Sequence, residues 1–113
     1  MKSLLLLSVL FLLASFAPTT FAKGDIVAGE EKVKQVCQSC HGLDGLGIDD
    51  TYPKLAGQFA DYMAKALSDY KSGARKNAIM SGFSATLTEE DIQNVSAYYS
   101  QLPENRLKDL SIK

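Results

Sequence analysis

The sequence predicts an all-α domain of three main helices joined by long irregular loops. Three observations predict it. Apolar residues recur at helical spacing in three separate segments. Between them the periodicity stops at clusters of glycine, aspartate and proline. Both cysteines and the only histidine fall within five residues, Cys37-Gln38-Ser39-Cys40-His41, with no strand–helix–strand pattern around them. A length of 113 residues fits one domain.

Residues 1–22 read as an export signal rather than as part of the fold. Lys2 gives a positive start, Leu4 to Ala14 form an apolar run broken only by Ser8, and Thr20-Phe21-Ala22 offers small residues where cleavage needs them. The run is short for a bilayer span, so no stable membrane insertion is expected after cleavage; an uncleaved anchor is the alternative. No cysteine follows closely enough for a lipid anchor. Cleavage after Ala22 leaves residues 23–113, a chain of 91 residues with 11 basic and 13 acidic side chains. Its charge of −2, with no basic block, argues against nucleic acid and anionic membranes as partners. Only 37 of its residues are apolar, nine of them alanine, which is a thin core for an independent fold.

The first helix is expected from Asp25, a candidate N-cap, to Cys40, with Gly29, Val33, Val36 and Cys40 on its inward face. Glycine costs about 1 kcal/mol against alanine inside a helix. Gly29 is therefore read as a point of close approach by another helix rather than as a surface residue. At the end of this helix, the i, i+3 spacing puts both sulfurs of Cys37 and Cys40 on one side. There they can add across the two vinyl groups of one porphyrin, and His41 follows to reach its iron. Rival readings fare worse. Structural zinc wants four ligands and only three are present, a redox Cys-x-x-Cys belongs after a strand, and a short disulfide leaves His41 unexplained. Cys37, Cys40 and His41 are thus candidate haem-binding residues, with His41 on the iron. A buried haem c also supplies apolar volume that the chain lacks, so the haem-free chain is expected to be largely unfolded.

From His41 to Gly57 the chain reads as a wet, glycine-broken loop wrapping one haem face. Within it Pro53 either shapes a turn or offers its carbonyl to the Nδ1 proton of an iron-bound imidazole. A second helix runs from about Gln58 to Ser72, with Phe59, Tyr62, Met63, Ala66, Leu67 and Tyr70 as its stripe and Gly73 as its stop. Met63 is read as core packing. Gly73 to Thr86 reads as a second loop carrying Met80. A third helix starts at Thr88, an N-cap with Asp91 at N3, and runs through Ile92, Val95, Tyr98, Tyr99 and Leu102 to Pro103. The tail from Glu104 is a short turn or frayed.

Elimination narrows the sixth iron position. There is no second histidine, and the cysteines are consumed as thioethers. Methionine, lysine or an open site remain. Met80, on a polar loop free to cross the haem, is favoured over Met63, and His/Met ligation raises the reduction potential.

The chain resembles class I cytochromes c, specifically the small bacterial monohaem type related to cytochromes c4 and c553. The likeness rests on Cys37-Gln38-Ser39-Cys40-His41-Gly42, Tyr52-Pro53-Lys54-Leu55-Ala56-Gly57-Gln58, Gly73-Ala74-Arg75, Met80 and Leu87-Thr88-Glu89-Glu90-Asp91-Ile92. The resemblance implies that Gly29 and Val33 cross Val95 and Tyr98. It implies that Pro53 bonds the proximal histidine, that Met80 is the distal ligand, and that Arg75 contacts a haem propionate. Cytochromes c4 carry two such domains; this chain has one haem motif. The expected function is a soluble periplasmic electron carrier, not an enzyme, docking transiently on redox proteins or membrane respiratory complexes. Lys65, Lys71, Arg75 and Lys76 form either a modest basic docking rim or ordinary solvated helix ends. Two alternatives are a subunit of a larger redox complex and a gas-binding or peroxidatic haem protein with labile Met80.

Overall fold

The computed structural model describes residues 23–103, and all regular structure among them is helical. The expected signal at 1–22 and the tail from 104 lie outside the described residues. The helices are α1 (Ile26–Val36), α2 (Gln38–His41), α3 (Ala60–Ser72), α4 (Ala78–Ala85) and α5 (Glu89–Gln101). Among the described residues, no helix is long and apolar enough to cross a membrane.

α1 and α5 cross at contact distance. A Cβ placed on Gly29 would lie 2.1 Å from the Asn94 carbonyl oxygen and 3.0 Å from Tyr98 Cβ, so only glycine lets the helices approach this far. Asp25 caps α1 as expected, its carboxylate accepting from the N–H groups of Val27 and Ala28 at 2.8 and 3.1 Å. The Asp25 N–H donates to Asn94 Oδ1 at 2.7 Å, pinning the start of α1 to α5. Beneath the crossing lie Val33, Val95, Tyr98, Tyr99 and, from α3, Met63, which therefore sits in the core. A second cluster of Ala64, Leu87 and Ile92 fills the space between α3 and the start of α5.

Two expectations need correction. The first helix does not run unbroken to Cys40: it ends at Val36, and α2 restarts after Cys37. The Gln38 side-chain amide donates to the Lys34 carbonyl at 2.8 Å, replacing the backbone bond of a continuous helix. Nor is the stretch from Gly73 to Thr86 all loop. Gly73 ends α3 in the left-handed region (φ 84°), but Asn77 then caps α4, its side-chain oxygen accepting from Met80 N at 3.0 Å. Met80 thus sits in the first turn of a helix.

The start of α5 carries a full capping box. Thr88 Oγ1 accepts from Asp91 N and Asp91 Oδ2 accepts from Thr88 N, both at 3.0 Å, and Lys32 lies 3.3 Å from Asp91. Burial works against the charge on Asp91, but the Thr88 bonds and Lys32 outweigh it and hold the carboxyl below its usual range. A depressed pKa stabilises the fold above the ordinary carboxylate range, and that stability is lost as pH falls through the folded-state value. Asp91→Asn is expected to cost about 1 kcal/mol at neutral pH, with the gap to the unsubstituted protein closing in denaturation curves taken below about pH 4.

Candidate functional site

The break at Cys37 sets the motif at the lip of a cavity. The His41 N–H bonds back to the Cys37 carbonyl at 3.0 Å, so the two thiols and the imidazole belong to one turn. Neither thiol is in a disulfide, and both line a cavity of about 390 Å³ together with His41. Burial pushes the Cys37 thiol up to about 11, against a small opposing effect of Lys32.

His41 is 7% exposed, and its Nδ1 lies 3.0 Å from the Pro53 carbonyl oxygen. A carbonyl only accepts, so Nδ1 carries the proton and the Nε2 lone pair is left for a metal. Of the two readings of Pro53, the carbonyl acceptor is the one the structure shows. The ring of Tyr52 meets His41 edge-on, with centroids 6.3 Å apart.

The loop behind the motif is held on α5 by hydrogen bonds that sequence periodicity cannot reveal. Tyr98 donates to the Leu43 carbonyl at 2.8 Å and Tyr99 to the Gly42 carbonyl at 2.9 Å. Burial pushes the Tyr99 hydroxyl well above its ordinary value, which keeps it a donor. The Gly45 carbonyl accepts from Leu55 and Ala56 at 2.7 and 3.1 Å, closing the loop on itself. Gly45 has φ 72°, and a Cβ there would lie 2.8 Å from Ala56 N.

The remaining walls are largely apolar. Leu55, Leu67 and Val95 line the cavity, and α4 contributes Ile79, Met80 and Phe83. Met63 reaches the same cavity from the core. Arg75 lies at the cavity with its guanidinium 4.9 Å from the centre of the Tyr70 ring. Two of the other expected rim cations are engaged: Lys65 pairs with Asp69, while Lys71 donates to the Leu87 carbonyl at 2.6 Å and lies 3.7 Å from Glu89. Ser84 and Ser96 also line the cavity, and their buried hydroxyls have no hydrogen-bond partner among the described residues. Sequence reasoning missed both serines.

These donors fit one group. Two thiols and an imidazole with its proton fixed on the far nitrogen share the cavity with a thioether, and the volume falls within the roughly 300–1,000 Å³ usual for cofactor pockets. Among the described residues, no three His, Cys, Asp or Glu side chains are placed to hold a bare metal ion. The fold and the site define a class: a helical protein closed around a covalently held haem.

Known proteins give the family. A cytochrome c family model matches residues 26–103. The chain is 42% identical over 80 residues to cytochrome c-554(548) of Halomonas halodenitrificans, covering 68% of this chain and 95% of the relative. It is 38% identical over 76 residues to a thiosulfate dehydrogenase electron acceptor of Stutzerimonas stutzeri, covering 66% of this chain and 35% of that protein. The crystal structure of reduced recombinant cytochrome c4 from Pseudomonas stutzeri superposes with a TM-score of 0.61 at 37% identity, over 68% of this chain and 47% of that one. The chain thus spans about half of the cytochrome c4 that it matches. It belongs to the cytochrome c family: an electron-transfer protein with covalently attached haem c and its iron, not an enzyme.

Proposed function

We propose that this chain is a periplasmic monohaem carrier in which Cys37 and Cys40 form the two thioethers and His41 and Met80 are the iron ligands. The bound haem supplies a reversible one-electron couple. The protein's part is to fix both ligands and keep water away. Pro53 holds the His41 ring and strengthens its donation through the Nδ1 bond. The α4 helix holds Met80, its N–H tied to Asn77. Arg75, at the cavity, would pair with a haem propionate. Residues 1–22 serve as the export signal, removed after Ala22, and residues 23–113 form the haem domain. Partners are redox proteins or membrane respiratory complexes that dock briefly over a small area.

The observation that carries this reading is the 3.0 Å bond from His41 Nδ1 to Pro53, in a cavity that both thiols and Met80 also line. Met80→Ala is expected to abolish the sulfur-to-ferric-iron charge-transfer band, lower the reduction potential and open the reduced protein to carbon monoxide. Met63→Ala is expected to keep the band. The opposite pattern would move the ligand to Met63. A second reading, a haem subunit within a fixed complex, is favoured by the likeness to a thiosulfate dehydrogenase electron acceptor. Native purification separates the two, since a carrier elutes alone and a subunit with its enzyme.

A further inference from the structure

The segment that carries Met80 is tied down at both ends. Where it begins, Gly73 turns the chain out of α3, and the Arg75 N–H donates to the Asp69 carbonyl at 3.0 Å. Where it ends, Lys71 Nζ donates to the Leu87 carbonyl at 2.6 Å. Lys71 is in the last turn of α3, so this bond draws the far end of the segment back to the helix it left. The 16 residues that it spans in sequence include the whole of α4. A carbonyl that accepts from an ammonium makes a charge-assisted bond, roughly twice as strong as a neutral one. Between the ties α4 is lightly seated: of its eight residues only Ser84 is buried by the protein itself.

A short element with few buried contacts opens as a unit at a lower free energy than the whole fold. Here the Leu87 peptide would move with it. Leu87 N donates to the Ser84 carbonyl and Thr86 N to the Phe83 carbonyl, both at 3.1 Å, which fixes that peptide to the last turn of α4. Swinging α4 off α3 therefore pulls the Leu87 carbonyl away from Lys71. We infer that Lys71 is a positioning residue: it latches the α4 segment shut over the cavity and so keeps Met80 on the iron. The inference rests on Met80 being the iron ligand. Glu89, 3.7 Å from Lys71 with a side chain 75% exposed, adds little to the latch.

Exogenous imidazole takes the iron only while Met80 is off it, so its apparent affinity for the ferric protein follows the fraction of open segments. In the haem-loaded protein, Lys71→Leu keeps an apolar stem and loses the donor. This variant is expected to bind imidazole about tenfold more tightly than the unsubstituted protein. Lys71→Arg, which still donates, is expected to restore the original affinity, and Glu89→Gln to leave it unchanged. Far-ultraviolet circular dichroism is expected to match in all four proteins, since the opening is local. A merely structural role for Lys71 would lower the thermal midpoint and leave imidazole binding as it was, and that result overturns the inference. So does a gain in affinity that Glu89→Gln equals. The charge-transfer band of the unsubstituted protein, together with its loss in Met80→Ala, reports on the ligand separately. If the band depends on Met80 while Lys71→Leu leaves imidazole binding unchanged, the ligand assignment stands and the latch falls. If the band does not depend on Met80, both fall.

Discussion

Exchanging Cys37 and Cys40 together for serine is expected to give a chain with no haem and no fixed tertiary structure. The reason is the size of the core. Among the described residues the two buried clusters hold only eight side chains, two of them tyrosines tied to loop carbonyls and one an alanine. Leu55 and Leu67, half-buried, pack against the first cluster and also line the cavity. With haem in place their apolar surface is buried, at about 25 cal/mol for each Å² removed from water. Without it they meet solvent, and a domain of this length stands only about 5–15 kcal/mol above unfolding at best. Loss of the near-ultraviolet circular dichroism signal and rapid proteolysis would follow. A serine pair that kept a sharp, native-like thermal transition would show that the helices hold themselves together.

Gly29→Ala is the second large effect, and two opposing magnitudes decide its sign. Alanine is favoured over glycine within a helix by about 1 kcal/mol. Here, however, the new methyl would sit 2.1 Å from a backbone oxygen of α5, which cannot swing aside as a side chain does. Overpacking costs up to about 3 kcal/mol, and the crossing of α1 on α5 must open to relieve it. The clash wins, and a net loss of about 2 kcal/mol is expected in chemical denaturation, the difference between those two terms. Gly82 in α4 supplies the contrast, since a Cβ there meets nothing within 4 Å. Gly82→Ala is expected to be neutral or stabilising by up to about 1 kcal/mol. Equal effects at both positions would contradict the account of the helix crossing.

Much of this was legible in the sequence, for identifiable reasons. The helix that Gly73 ends and the Thr88 cap with Asp91 are local signals, and local geometry follows them, although Phe59 stands before that helix as its N-cap and both Phe59 and Tyr62 of the expected stripe are exposed. The motif turn is legible because two cysteines and the only histidine occur together; in sequence Pro53 stays between a turn and a carbonyl acceptor, because its distance to His41 is set by the fold. The α4 helix was hidden by its length of eight residues, by Gly82 inside it and by Gly73 before it. The sequence does carry a trace of it. Asn77 precedes Ala78-Ile79-Met80, and Met80, Ser84 and Leu87 recur at helical spacing, but Ser84 is polar and Leu87 lies past the end of the helix. The role of Asn94 was not legible at all, because accepting from Asp25 across 69 residues has no local signature. The two unpartnered serines are invisible for the same reason: a hydroxyl is common in helices, and only its surroundings make it unusual.

The central claim is that one porphyrin is joined to this chain through Cys37 and Cys40. Intact-mass measurement of the exported protein under denaturing conditions tests it most directly. The expected mass is that of the polypeptide from Lys23 onward plus a single haem that survives acidic acetone extraction. A polypeptide of that length with nothing added, or with haem that washes away, would contradict it.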